Sequence, residues 1–219
     1  MPVPEPTPPP AGPGRKRPFW LNPWLWGVVA FIALDALFRF TPLLRRIPDP
    51  PPVVETLPDF ELIRAGGQPF TRADLADTVH LAGFAPVDGE AGKLIGAMLE
   101  LEAYLVEQAP YERYSEELRL MLISAGPRAP SPQALMTLRR DEGLDPDRWT
   151  LLTGDTDPLF RVLAAAQEAP DSGEQAGLIA LIDGDGGIRG FYDPSTEEGR
   201  EEAFWRGMRT LEEQHIGDR

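Results

Sequence analysis

The sequence predicts a three-layer α/β/α domain with a central mixed sheet, preceded by a single N-terminal transmembrane helix. Two observations carry this prediction. From residue 57 onward, apolar runs of strand length alternate with longer segments of helical period, and a glycine-rich turn joins the last two strands. Ahead of them, residues 19–34 contain no charged side chain, which is typical of a segment inside a membrane.

The first 56 residues divide into three parts. Residues 1–18 form a Pro-rich tail that cannot build a packed core and is expected to be disordered. Residues 19–44 form the predicted transmembrane helix, with tryptophans near its start and basic residues on both sides. Residues 45–56 are a second Pro-rich stretch, predicted to be an extended spacer before a domain at 57–219.

Two charged residues interrupt the membrane segment. Asp35 and Arg39 are four residues apart, so on a helix they can pair and extend toward the interface. Alternatively, they face the helices of another membrane protein, which makes them possible partner contacts. No small-residue cleavage site precedes Arg45-Arg46, so the segment is predicted to be an uncleaved anchor and not a signal peptide.

The first half of the domain begins with a short strand at Phe60–Ile63, followed by a helical turn that Thr71 caps. Val79–Phe84 and Leu118–Ser124 are apolar runs of the kind found in buried strands. Between them, Lys93–Gln108 carries an apolar stripe at helical spacing and is predicted to be a helix.

The second half repeats the alternation and ends in a hairpin. Ser131-Pro132 opens a helix that Gly143 ends, because serine caps it and proline suits its first position. A strand at Trp149–Leu152 and a helix capped by Asp155 follow. The last elements are a β-hairpin with its turn at Asp183–Gly187 and a helix capped by Thr196. A βαβ unit followed by a ββα unit is the thioredoxin-type arrangement.

Landmarks spread over residues 57–215 resemble the SCO/SenC family in order and in spacing. They are Phe60, Gln68–Thr71, Asp74-Leu75, Pro127, Ser131-Pro132, Leu135, Trp149, Leu152–Gly154, Asp183, Gly186, Ile188–Gly190 and Tyr192. The resemblance implies a thioredoxin-fold, membrane-tethered protein of the kind that carries copper and helps to assemble cytochrome oxidase.

The copper ligands of that family are replaced in this chain. The family uses two cysteines separated by three residues and a histidine, and the matching positions are Gly89, Lys93 and Gln175; the aspartate expected after the third strand is Gly126. Glycine offers no side-chain donor and an ammonium group repels a cation. The chain contains no cysteine, which excludes disulfides and thiolate metal sites. It is therefore expected to be a divergent member that binds no metal and no cofactor at these positions.

Other residues leave a second possibility open. Asp88 and Glu90 flank the vacated loop position and His80 lies on the strand before it, so copper could be carried by oxygen and imidazole ligands. Against this, two carboxylates on a loop make a poor site. Asp183–Gly187 resembles the start of a calcium loop, but it lacks the distal glutamate and a hairpin turn explains it.

The charge balance and the sequence motifs limit the classes of function expected of this chain. Acidic residues outnumber basic ones 35 to 21, so the chain is expected to repel nucleic acid and could bind a basic partner through its acidic face. Motifs for phosphate binding, serine hydrolysis or zinc proteolysis are absent, so no enzymatic activity is expected.

The resemblance then implies an accessory or assembly partner of a respiratory membrane complex such as cytochrome c oxidase. By the same analogy, the protein is expected in a bacterial inner membrane, with its N-terminus in the cytoplasm and its C-terminal domain in the periplasm. The membrane and a protein of that complex are its expected partners, and nucleic acid is not.

Overall fold

Three parallel strands form the centre of the fold. A computed structural model describes residues 49–86, 91–108, 115–125, 129–167 and 177–217. In it, one eight-stranded sheet has the order β1-β8-β7-β4-β5-β6-β2-β3. The strands are β1 (Glu55–Thr56), β2 (Glu61–Arg64), β3 (Pro69–Thr71), β4 (Val79–Pro86), β5 (Leu118–Ala125), β6 (Trp149–Gly154), β7 (Ile179–Ile182) and β8 (Gly187–Tyr192).

Only β4, β5 and β6 run parallel to one another, and every other pairing in the sheet is antiparallel. We call the end of the sheet where these three strands begin the basal end, and the end where they finish the carboxyl edge. Apolar side chains alternate between two cores, one on each face, which explains why β4 and β5 read as nearly continuous apolar runs.

Four α-helices cover the two faces. The helices are α1 (Ala91–Gln108), α2 (Pro132–Glu142), α3 (Asp157–Gln167) and α4 (Glu197–Gly217). The first core, on the face of Leu81, Leu120 and Leu151, receives side chains from α1, α2 and α4. The second core, on the face of Ala82, Met121 and Leu152, receives side chains from α3 and from the β2–β3 hairpin. This is a thioredoxin-like α/β fold, so the predicted fold class of the domain is confirmed.

The predicted helix ends are confirmed by hydrogen bonds. The Ser131 hydroxyl accepts from Ala134 N at 3.2 Å, and Gly143 adopts the left-handed conformation that ends α2. The Thr196 hydroxyl accepts from Gly199 N at 3.1 Å at the start of α4. These ends could be predicted because each depends on a few neighbouring residues.

Two strands have no counterpart in the sequence prediction. β1 and β3 are two and three residues long and lie at the two edges of the sheet. Strands this short have too few residues to show an alternating pattern, so only their pairing with a neighbour defines them.

The predicted transmembrane helix at 19–44 lies outside the described residues, together with Asp35 and Arg39. Among the helices of the described part, none combines the length and the apolar composition needed to cross a membrane.

Residues 49–56, which the sequence predicts as a spacer, lie along the edge of the domain. Val54 N donates to Ile188 O at 2.8 Å, and β1 pairs with β8 in antiparallel register. Arg206 Nη1 from α4 donates to Asp49 O at 3.0 Å. The chain is therefore held against β8 and α4 from its first described residues.

A buried ion pair fixes this edge. The Arg189 guanidinium on β8 donates to Asp183 Oδ2 at 2.7 Å and to Glu213 Oε2 on α4 at 2.6 Å. It also donates to Pro51 O at 3.0 Å, so one side chain joins the hairpin, the last helix and the N-terminal segment. Burial by itself lowers the pKa of Arg189, but hydrogen bonds and the charges of Asp183 and Glu213 outweigh burial and raise it.

Asp183 is held in place by the turn that follows it. Its Oδ1 accepts from Gly187 N at 2.6 Å and from Asp185 N at 3.1 Å, and its side chain is 3% exposed. Both carboxylate oxygens are thus engaged within the hairpin, and the prediction that this segment is a hairpin turn is confirmed.

We expect Asp183→Asn to lower the free energy of unfolding by about 3 kcal/mol, because removing one charge of a buried pair leaves the other without full compensation. Urea denaturation at pH 7 measures the effect. Arg140→Gln is the matched control: it removes the Arg140–Asp141 pair, whose side chains are 77% and 59% exposed, and should cost at most about 0.5 kcal/mol. An equal decrease in the free energy of unfolding in the two variants would contradict the stabilising role of the Asp183–Arg189 ion pair.

Candidate functional site

One of the vacated copper positions, Lys93, lies near the carboxyl edge of the sheet. β4 ends at Pro86, and the chain enters α1 at Ala91 after four residues that lie outside the described part. Lys93 stands exposed in the first turn of α1. Gly89, Gly126 and Gln175 lie outside the described residues, so Lys93 is the vacated position whose place in the fold is established. In α/β sheets, the carboxyl ends of parallel strands are where ligands usually bind.

Close packing between β4 and α1 fixes the position of that helix. A Cβ added at Gly83 would lie 2.5 Å from Met98 Sδ and 3.3 Å from a methyl carbon of Leu94. Glycine at this position therefore lets the helix approach the strand closely. The first turn of α1, with Lys93, is consequently anchored by a packed core directly below it.

The opposite side of the carboxyl edge is aromatic. Phe84, near the end of β4, packs edge-to-face on Phe160 of α3, with 5.4 Å between the ring centroids and 83° between the planes. Both rings are half-buried, and Phe84 packs against the second core. This pair of rings offers apolar contact surface.

The described start of α1 carries positive charge. The N-terminus of a helix carries a partial positive charge, and the first turn of α1 contains Lys93 and no acidic residue. A positive side chain at the positive end of a helix disfavours a metal cation at this turn.

Hydroxyl groups at the carboxyl edge serve the fold. Ser124, Thr153 and Thr156 are buried near the ends of β5 and β6. Thr153 Oγ1 donates to Pro130 O at 2.7 Å, which holds the segment that leads into α2. Activation of a hydroxyl nucleophile needs an adjacent base, and of the two histidines, His80 lies at the other end of β4 and His215 contacts Glu117.

His80 does not lie near the vacated loop, so the prediction that placed it there is wrong. His80 lies six positions before Pro86, where β4 ends, and this length of strand spans about 20 Å. Its side chain has the strand parity of Ala82 and so faces the second core. The other two residues of the copper alternative, Asp88 and Glu90, lie outside the described residues.

The surroundings of His80 keep it neutral. The imidazole is 3% exposed and packs edge-on against Phe70, with 6.4 Å between the ring centroids. Burial, with the positive charges of Arg119 and Arg64, lowers the pKa of His80 to about 3. His215, the other histidine of the chain, lies 2.5 Å from a carboxylate oxygen of Glu117 through its Nε2.

Within the described ranges, no three acidic or imidazole side chains lie close enough together to hold a metal ion. Two groups of charged residues lie instead at the basal end: Asp183 and Arg189, whose ion pair the sequence analysis did not predict, and the arginines around His80. Arg119 could have been recognised as unusual from the sequence, because it is a charged residue within the apolar run of β5.

The fold is that of SCO proteins. A SCO1/SenC family lipoprotein from Bacillus anthracis is similar over 74% of this chain and 97% of its own, with 21% identity and a TM-score of 0.56. BsSco, a member of the Sco family of cytochrome c oxidase assembly proteins, is similar over 72% of this chain and 94% of its own, with 17% identity and a TM-score of 0.56. Arabidopsis thaliana ScoI with copper bound is similar over 72% of this chain and 99% of its own, with 15% identity and a TM-score of 0.53.

No protein-family model matches the chain, and no curated protein does either. At identities of 15–21%, the structural similarity establishes a shared fold. The resemblance to the SCO/SenC family on which the sequence interpretation rests is confirmed at that level.

The buried, neutral His80 should make the fold sensitive to acid. Its pKa is lower in the folded state than in the unfolded chain, so the unfolded state binds the extra proton and stability falls as the pH drops from about 6.5 toward 3. This group alone contributes a slope of about 1.4 kcal/mol per pH unit. We expect His80→Gln to remove that part of the slope in urea denaturation between pH 6.5 and 4.

Met136→Gln is the control for this prediction, since it changes an exposed side chain on α2 and leaves every titratable group in place. The control should keep the slope of the wild-type protein. A slope that is unchanged in His80→Gln would show that His80 is not held neutral by its surroundings.

Proposed function

We propose that this protein is a non-catalytic, membrane-anchored SCO-like protein that acts as an accessory subunit or assembly partner of a respiratory membrane complex such as cytochrome c oxidase. One observation carries the proposal: the chain has a SCO-type fold, and the sequence positions that match the family's three copper ligands hold Gly89, Lys93 and Gln175. Since the chain has no cysteine, it can form neither a copper–thiolate site nor a disulfide.

The preserved scaffold supports a binding role. The core under α1 is packed at Gly83 and Met98, and the basal end is joined by a buried ion pair, so the domain keeps a defined surface without the metal chemistry. Two of the similar structures belong to proteins described as a cytochrome c oxidase assembly protein and as a copper-bound ScoI. A protein with this fold that lacks the copper-binding side chains can still recognise the same partners, because recognition depends on the shape and charge of the surface.

The proposed location is a bacterial inner membrane, with residues 19–44 as the anchor and the C-terminal domain in the periplasm. The uncharged stretch and the tryptophans of that segment support an anchor. A SCO1/SenC family lipoprotein among the similar structures is consistent with a membrane-associated domain. The orientation rests on analogy with the family.

Restoring the ligands tests whether the assigned positions are those of the family's copper site. We expect the triple variant Gly89→Cys, Lys93→Cys, Gln175→His to bind copper(I) more tightly than about micromolar, because two thiolates and an imidazole suit a soft metal. Competition with a chromogenic copper(I) chelator measures the affinity.

The matched control moves only the first cysteine, in Gly92→Cys, Lys93→Cys, Gln175→His, where two adjacent cysteines cannot reproduce the family's spacing. The wild-type protein and the control should bind weakly. Equal binding by the two triple variants would show that the assigned positions are wrong, and tight binding by the wild type would favour a copper carrier that uses other ligands.

The anchor is proposed to contact the partner through Asp35 and Arg39, because charges inside a membrane are costly unless they meet a polar group. We expect full-length protein purified in mild detergent to bring down subunits of a respiratory complex, and Asp35→Leu to reduce that recovery at least about tenfold. Mass spectrometry and the haem absorbance spectrum measure recovery.

Asp59→Asn, an exposed change in the soluble domain, is the control and should bind as the wild type does. If Asp35→Leu recovers as much of the respiratory subunits as the wild type does, the partner contact belongs to the C-terminal domain and not to the anchor. A preparation from the wild type with no respiratory subunit would contradict the proposed function.

A further inference from the structure

Basic side chains gather at the basal end of the sheet, opposite the vacated copper site. Arg119 on β5 stands directly beside His80 on β4 in the parallel ladder. Both have the strand parity of the second core, since Ala82 and Met121 lie two residues further along and belong to it. Arg148, at the start of β6, accepts a hydrogen bond at its carbonyl from Leu120 N at 2.9 Å and so stands next to Arg119 on the other side.

A third arginine approaches from the β2–β3 hairpin. The guanidinium carbon of Arg64 lies 4.5 Å from the ring centroid of Phe70, and that ring packs against His80. The positive charges of Arg64 and Arg119 both reach the imidazole, where they add to burial in lowering its pKa. We call Arg64, Arg119 and Arg148 with His80 the basal cluster.

Two of the three arginines of the basal cluster lack a carboxylate partner among the described residues. Arg64 pairs with Asp74 at 3.0 Å, but the described residues supply no carboxylate to either Arg119 or Arg148. Arg148 Nη1 is buried without a hydrogen-bond partner, and Arg119 is half-buried. His80 contributes no charge. Like charges on neighbouring strands repel, and a buried donor without an acceptor costs free energy.

The chain has 35 acidic and 21 basic residues, so acidic partners are abundant. Arg189 meets Asp183 and Glu213, and Arg200 meets Glu100 at 2.9 Å. The half-buried Arg72 and Arg139 meet no carboxylate among the described residues, but their guanidinium groups donate to backbone carbonyls. An anion supplied from outside would give Arg119 and Arg148 the counter-charge that the described chain does not.

We propose that the basal cluster is a binding site for one oxyanion group, a phosphate or a carboxylate, held by Arg119 with Arg148 and Arg64 beside it. The planar guanidinium presents paired N–H donors that match two oxygens of such a group. The net charge of the chain, −14 at pH 7, disfavours long polyanions, so a small anion or a single anionic group fits best. This inference is independent of the proposed function, because it concerns the end of the sheet opposite Lys93.

The test is thermal unfolding of the full-length protein in detergent at pH 7, with sodium phosphate or sodium acetate added at constant ionic strength. With an anion at about ten times its Kd, the unfolding midpoint should rise by roughly 3–6 °C over a chloride control. Arg119→Gln should abolish the rise. Arg140→Gln, which removes an arginine that is 77% exposed on α2, should keep it.

A second readout does not depend on the variant folding. The His80 ring resonances of the wild-type protein should shift on titration with the anion, whereas those of His215 should not. A response to phosphate alone or to acetate alone supports the site and identifies its ligand. The inference is overturned if neither anion moves the midpoint or the His80 resonances, or if Arg119→Gln retains the full rise.

Discussion

The ion pair between Asp183 and Arg189 is the interaction on which the basal half of the domain depends. A guanidinium that is 13% exposed must be compensated, and Asp183, Glu213 and the carbonyl of Pro51 do this from three separate parts of the chain. The hairpin, the last helix and the N-terminal segment are thereby held in one arrangement. That segment follows the predicted anchor in sequence, so the pair also fixes where the chain enters the domain.

The two ends of the sheet consequently have different characters. At the carboxyl edge, the packing of Gly83 against Met98 fixes the start of α1, and Lys93 makes its first turn unfavourable for a cation. At the basal end, Arg119 and Arg148 stand together without a carboxylate in the described chain. Among the described residues, the start of α1 therefore disfavours a metal cation, whereas the basal end carries groups that attract an anion.

The features that could be predicted from the sequence are those that depend on residues close together along the chain. Ser131, Gly143 and the hairpin turn act over a few residues, so the corresponding elements were predicted correctly. β1, β3 and the docking of residues 49–56 depend on partners far away in sequence, and no local pattern encodes them. The placement of His80 failed for the same reason: nearness in sequence to the loop said nothing about the length of strand between them.

The central claim is that a SCO-type scaffold here supports a respiratory complex without supplying its copper. Deleting the gene and measuring cytochrome c oxidase activity and subunit levels, with and without added copper, tests this most directly. The account predicts that activity falls, that the wild-type gene restores it, and that added copper does not, because copper supply is not what was lost. Rescue by copper alone would make the protein a copper carrier, and unchanged oxidase would remove the respiratory role altogether.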